Sequence, residues 1–256
     1  MNKKLESFQR LLDIMDELRE KCPWDKKQTT LSLRNLSIEE VYELSDAILK
    51  KDPKGVKEEL GDLFLHLVFY SKIGEEEGDF DVADVLNGVC EKLIHRHPHI
   101  YSDVKADTEE EVLKNWEQLK LKEGKKSILE GVPSSMPAIN KAYRLQEKTA
   151  KVGFEWEKIE DVWDKVEEEK EELTHAVKSK DHDQIEDEFG DLMFALINYS
   201  RYLKIDPEAA LERTNQKFKK RFEFIEARAK DLGKEMEKMT IEEMDEIWNE
   251  AKKAMR

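Results

Sequence analysis

The chain has 256 residues, of which 40% are charged, and a net formal charge of −15. That acid excess repels a nucleic-acid backbone and no stripe of lysine or arginine offsets it, so no direct nucleic-acid binding is expected. The opening "MNKKLESFQR" turns polar too early for a secretory leader and no apolar run is long enough to cross a bilayer, which predicts a cytoplasmic protein without membrane contact.

In chain order, "LESFQRLLDIMDEL", "VYELSDAILK", "VADVLNGVCEKLI", "VWDKVEEEKEELTHAV" and "AALERTNQKFKKRFEFI" repeat apolar residues every three or four positions, the period of amphipathic helices. All six prolines (Pro23, Pro53, Pro98, Pro133, Pro137, Pro207) fall between such segments, where they end helices rather than break them. No run alternates as a strand does, so the fold class is all-α. Cys22 and Cys90 are far apart and lack CxxC spacing, which predicts two reduced thiols and no zinc site. The length suits two small domains, and the Gly-, Ser- and Pro-rich stretch 122–137 is the expected linker between residues 1–121 and 138–256.

The two sides of that linker match. Glu39, Glu40 and Glu43 are followed by Glu59 sixteen residues after Glu43 and then by Asp62, while Glu168, Glu169 and Glu172 precede Glu188 and Asp191 at the same intervals. "EELGDLFLHLVFYS" at 58–71 answers to "DEFGDLMFALINYS" at 187–200. Farther on, Lys92 and Arg96 align with Lys217 and Arg221, and Trp116 and Trp248 each follow a threonine, Thr108 or Thr240, by eight residues. The chain is an internal duplication of two related helical bundles.

Residues three or four apart share a helix face, so Glu40 projects with Glu43 and Glu59 with Asp62. The turn "KKDPKG" lets the two helices run antiparallel, and four carboxylates then converge. Such an all-oxygen set suits magnesium, with manganese as a substitute, and leaves coordination positions for water and phosphate oxygens. A single acidic motif is usually a solvated helix face; two copies at equal spacing argue for a ligand set, Glu40, Glu43, Glu59 and Asp62 in one half and Glu169, Glu172, Glu188 and Asp191 in the other. A di-iron bundle wants Glu-x-x-His, and this chain offers Glu-x-x-Asp twice. Each basic pair, Lys92 with Arg96 and Lys217 with Arg221, lies on one helical face and can reach a polyphosphate. Trp116 and Trp248 are candidates to stack on a base, or else core residues. The "HRHPH" cluster at 95–99 reads as a polar helix end rather than a zinc site.

"EEVYE" with "ELGD" and "EEKEE" with "EFGD" resemble the EExxE…ExxD signature of the all-α nucleoside triphosphate pyrophosphohydrolases, and their tandem arrangement resembles MazG. "CPWDKKQTTLSL", "HRHPHIYSD", "VGFEW" and "NQKFKKRF" extend the likeness over nearly the whole chain. The resemblance implies an α-helical homodimer, magnesium dependence, and hydrolysis of nucleoside triphosphates to the monophosphate and pyrophosphate. It makes the two acidic sets metal ligands and puts Glu39 and Glu168 beside them as catalytic candidates, leaving open which carboxylate takes the proton. Asn215 and Lys220 stand where the first half has Cys90 and His95, which favours the second half as the better triphosphatase. Two other readings of the acids are an inorganic pyrophosphatase or narrow modified-nucleotide hydrolase, and a non-enzymatic acidic scaffold.

Overall fold

The structure, a computed structural model, describes residues 2–102, 108, 111–112 and 127–255. Trp116 and the expected domain boundary at 121–122 lie outside them. Every regular element among the described residues is helical. The chain divides into two compact units, residues 1–116 and 117–256.

In the first unit, α1 (Lys3–Lys21) and a 3₁₀ turn (Asp25–Lys27) lead into α2 (Thr30–Leu49), α3 (Pro53–Glu77), α4 (Val82–Arg96) and the short α5 (Pro98–Tyr101). Each start is written locally. Thr29 and Ser32 cap α2 reciprocally, Asp81 and Asp84 do the same for α4, and Asp52 caps α3 with Pro53 in its first turn. These side chains supply acceptors to amides that have no partner inside the helix. Helix α3 ends at Gly78, whose φ of +77° is open to glycine and strained for other residues. Helices α1 and α2 both pack on α3. Met15, Leu33, Val68, Phe69 and Ile73 form the core between them.

The second unit holds α6 (Ala138–Ala150), α7 (Ile159–Ser179), α8 (His182–Tyr202), α9 (Pro207–Asp231), a 3₁₀ turn (Met236–Lys238) and α10 (Ile241–Ala254). Helices α7 and α8 form the most extensive helix pair, with α6 against α8 and α10 against α9. A second apolar cluster, Ile225, Ala229, Met239 and Ile247, joins α9 to α10. The duplication extends to backbone detail: Lys51 between α2 and α3 and Lys180 at the matching place between α7 and α8 both turn left-handed, with φ of +55° and +61°. Both helix pairs therefore reverse through the same tight turn, which brings the acidic positions of one helix opposite those of the next.

Candidate active site

Carboxylate oxygens of Glu40, Glu43 and Glu59 come within 4.8 Å of one another, and so do those of Glu169, Glu172 and Glu188. In each half two ligand candidates come from the first helix of the pair and one from the second. Desolvation raises the pKa of Glu40, with the charges of Asp62, Glu43 and Glu39 adding to it. Glu59 is raised by desolvation and then by Glu43, Asp62 and Glu40, which places Asp62 within the electrostatic reach of the same cluster. Glu172 is likewise raised by desolvation and by Glu169 and Glu188. Convergent hard oxygens that repel one another, with no nitrogen or sulfur donor among them, fit a magnesium or manganese ion.

The two clusters differ in one neighbour. The Lys165 ammonium lies 2.8 Å from Glu169, which is 7% exposed, and 2.9 Å from the exposed Glu168. Those two partners, Glu169 first, push the Lys165 pKa up. At the matching place in the first half stands Leu36. Glu39 lines a shallow groove along α2 with Tyr42, Glu43 and Asp46.

Beside the second cluster opens a cavity of about 360 Å³, large enough for a small organic ligand. Lys165, Glu169 and Asp191 form its polar edge, while Phe154, Trp156 and Phe194 give it aromatic surface and Gln146 and Asn198 contribute amides. The Arg201 guanidinium ties the region together, pairing with Glu155 at 2.9 Å and donating to the Asn198 oxygen at 3.3 Å. The matching positions in the first half are filled. Phe69, where the second half has Asn198, is a core residue at 2% exposure, and His66, where it has Ala195, is buried. Arg19 lies over the Phe69 ring and is held by Glu76 and by the carbonyls of Asp25 and Gln28. Burial holds the His66 pKa down, although Asp62 opposes the shift.

Lys92 and Arg96 lie on α4; Lys217 and Arg221 lie on α9. The Arg221 guanidinium sits 5.4 Å from the centre of the Trp248 ring, whose other neighbours are Phe218 and the α9–α10 cluster. The structure thus joins Arg221 to Trp248 on α9–α10, while the second carboxylate cluster stands on α7 and α8. Sequence reasoning missed Lys165, Gln146, Phe154, Trp156 and Asn198. Lys165 had a signal, being one helical turn before Glu169, and "VGFEW" marked two aromatics; the amides had none.

The model of the MazG nucleotide pyrophosphohydrolase domain matches residues 28–101 and 158–224, one segment in each unit. The nucleoside triphosphate pyrophosphohydrolase of Escherichia coli (strain K12) is 39% identical, with 97% of this chain and 98% of that one covered. A Thermotoga maritima protein named nucleoside triphosphate pyrophosphohydrolase/pyrophosphatase MazG is 43% identical, with coverage of 96% and 95%. The uncharacterized protein YabN of Bacillus subtilis (strain 168) is 47% identical over 97% of this chain and 52% of its own length. With both halves matched and relatives alike from end to end, the chain belongs to the MazG nucleotide pyrophosphohydrolase family as a tandem, all-α member and is an enzyme of that class.

Proposed function

We propose that the chain hydrolyses nucleoside triphosphates to nucleoside monophosphate and pyrophosphate with magnesium, or manganese in its place, and that the second half carries the turnover. The observation that carries this reading is the juxtaposition in one unit of a three-carboxylate cluster and a cavity with aromatic walls that share Glu169 as a wall. A divalent cation held there would offset phosphate charge and lower the pKa of a bound water. The ligands are Glu169, Glu172, Glu188 and Asp191, with Glu40, Glu43, Glu59 and Asp62 as the first half's equivalent set. Water attacks the α-phosphorus, the bond from that phosphorus to the bridging oxygen breaks, and pyrophosphate leaves with the electron pair. Glu168 is the proposed residue to orient the water or accept its proton, and Glu39 is its counterpart. Lys217 and Arg221 are the proposed phosphate contacts, with Trp248 beside Arg221 as a stacking surface; Lys92, Arg96 and Trp116 are their first-half equivalents.

We read the physiological role as nucleotide-pool house-cleaning or stress regulation in the cytoplasm. Assembly as a homodimer is supported by apolar surface that the first unit leaves open: Leu60, Phe64 and Leu67 on α3, and Val85, Leu86, Val89 and Leu93 on α4, a helix with no buried residue. Product analysis with a nucleotide panel tests the chemistry. Expected are monophosphate and pyrophosphate, activity lost with a chelator and restored by magnesium, and a dimeric mass for the active species in sedimentation. Orthophosphate with diphosphate places the cut at another bond, and cleavage of pyrophosphate alone makes the site an inorganic pyrophosphatase.

A further inference from the structure

The two carboxylate clusters are alike in their acids and unlike in one cation. Lys165 stands one helical turn before Glu169 on α7, and its ammonium reaches Glu169 at 2.8 Å and Glu168 at 2.9 Å. Helix stability alone does not call for that order, since a glutamate gains more from a lysine that follows it by four residues than from one that precedes it. Glu169 is buried, so little water screens the pair. The same ammonium acts across the cluster: at Glu172, which desolvation, Glu169 and Glu188 raise, the Lys165 charge opposes the rise.

In the first half the matching residue is Leu36, whose side chain packs against the core of Met15, Leu33, Val68, Phe69 and Ile73. Glu40 and Glu59 are raised by desolvation and then by neighbouring acids, and among the described residues no cation opposes those shifts. An ion that takes Glu169 must displace the ammonium or share the carboxylate with it, whereas an ion that takes Glu40 meets carboxylates alone. A fixed positive charge a few ångströms away opposes a divalent ion by a factor of about ten even in water.

We infer that Lys165 makes the second cluster the weaker divalent-cation site of the two, so that in the nucleotide-free protein the first cluster fills first and holds its ion more tightly. This inference rests on the ion binding proposed above. It gives the first half a role that needs no cavity: that half keeps a resident ion, while the second exchanges the ion it works with.

Manganese alone is the probe, titrated into the intact, nucleotide-free chain at physiological salt and followed by the electron paramagnetic resonance of the free ion. Wild type is expected to show two classes of site whose Kd values differ by about tenfold or more. Glu43→Gln removes the tighter class and Glu172→Gln the weaker. Lys165→Met, which keeps the stem and removes the charge, tightens the weaker class by about tenfold, and Lys165→Arg leaves it weak. Thermal unfolding gives an independent reading: manganese raises the Tm of Lys165→Met by more than that of wild type, because an ion that binds the folded chain stabilises it more the further its concentration exceeds Kd. Equal classes in wild type, a weaker class that belongs to the first half, or a second site unchanged in Lys165→Met overturns the inference. Manganese binding that neither Glu43→Gln nor Glu172→Gln alters overturns the ion reading itself and this inference with it. Binding lost in those two variants but indifferent to Lys165 overturns the inference alone.

Discussion

Glu172 and Glu43 hold equivalent places in two clusters of the same size, yet only Glu172 stands in a unit where Lys165 and a cavity adjoin the acids. Glutamine keeps the shape of either residue and removes its charge. Glu172→Gln is therefore expected to lower triphosphate hydrolysis by on the order of 10²-fold or more, the scale found when a charged group acting on the transition state is lost. Glu43→Gln is expected to lower it far less, because Phe69, His66 and Arg19 fill the place of the cavity there. Initial rates on one triphosphate check both variants, and equal losses would mean that the two clusters turn over together. At this scale the acids were legible in the sequence because their spacing repeats and helix geometry converts spacing into a shared face. Gln146 and Asn198 were not: a single amide on a charged helix has no periodic signature, and its meaning comes from Phe194 and Arg201, which are set against it by tertiary packing and side-chain pairing.

Among elements, α3 shows how a glycine is read by what surrounds it. A Cβ on Gly74 would lie 2.7 Å from the Phe80 ring and 2.9 Å from the Phe80 carbonyl oxygen, and the latter is backbone that cannot swing away. Gly74→Ala is expected to destabilise the protein by about 1–3 kcal/mol, as overpacking does. Gly61 and Gly190, the glycines of the two "GD" motifs, meet nothing within 4 Å, so alanine there is expected to be neutral or to stabilise by up to about 1 kcal/mol through helix propensity. Denaturant midpoints of the three variants check the contrast. Helix positions were legible because starts and stops are local: Asp52-Pro53 and Asp206-Pro207 each cap and open a helix with adjacent residues. Helix α6 was not singled out, since it is short and mixes charge into its apolar pattern; it packs on α8 with Gln146 and Lys148 buried, and the Lys148 ammonium is bonded to the Ile128 and Glu130 carbonyls.

For the molecule as a whole, the clustered acids set how stability depends on pH and metal. Glu40, Glu59 and Glu172 have folded values raised above the ordinary 4.5, so their contribution to stability is full below that value and is lost as the pH rises through the raised one. Glu76, lowered by its bond to Arg19, has the opposite sign, and its contribution is lost as the pH falls through its folded value. In chelator, the melting temperature is expected to rise as the pH falls from neutrality toward the carboxylate range and to drop again below it; saturating magnesium is expected to flatten the upper limb by neutralising the clusters. A thermal scan over pH with and without magnesium checks this, and an upper limb indifferent to the ion would argue against ion binding at the clusters. The duplication itself was legible across the chain, and Asn215 and Lys220 against Cys90 and His95 already set its halves apart, but the cavity that distinguishes them was not legible, because it goes with Phe69 against Asn198 and His66 against Ala195, single exchanges on otherwise parallel helices. Those exchanges divide the labour of one repeated frame. The half that kept its aromatic core is constrained by packing and can drift in its chemistry, while the half that opened a cavity is constrained by what enters it, so that the same aligned position obeys opposite rules of substitution in the two copies.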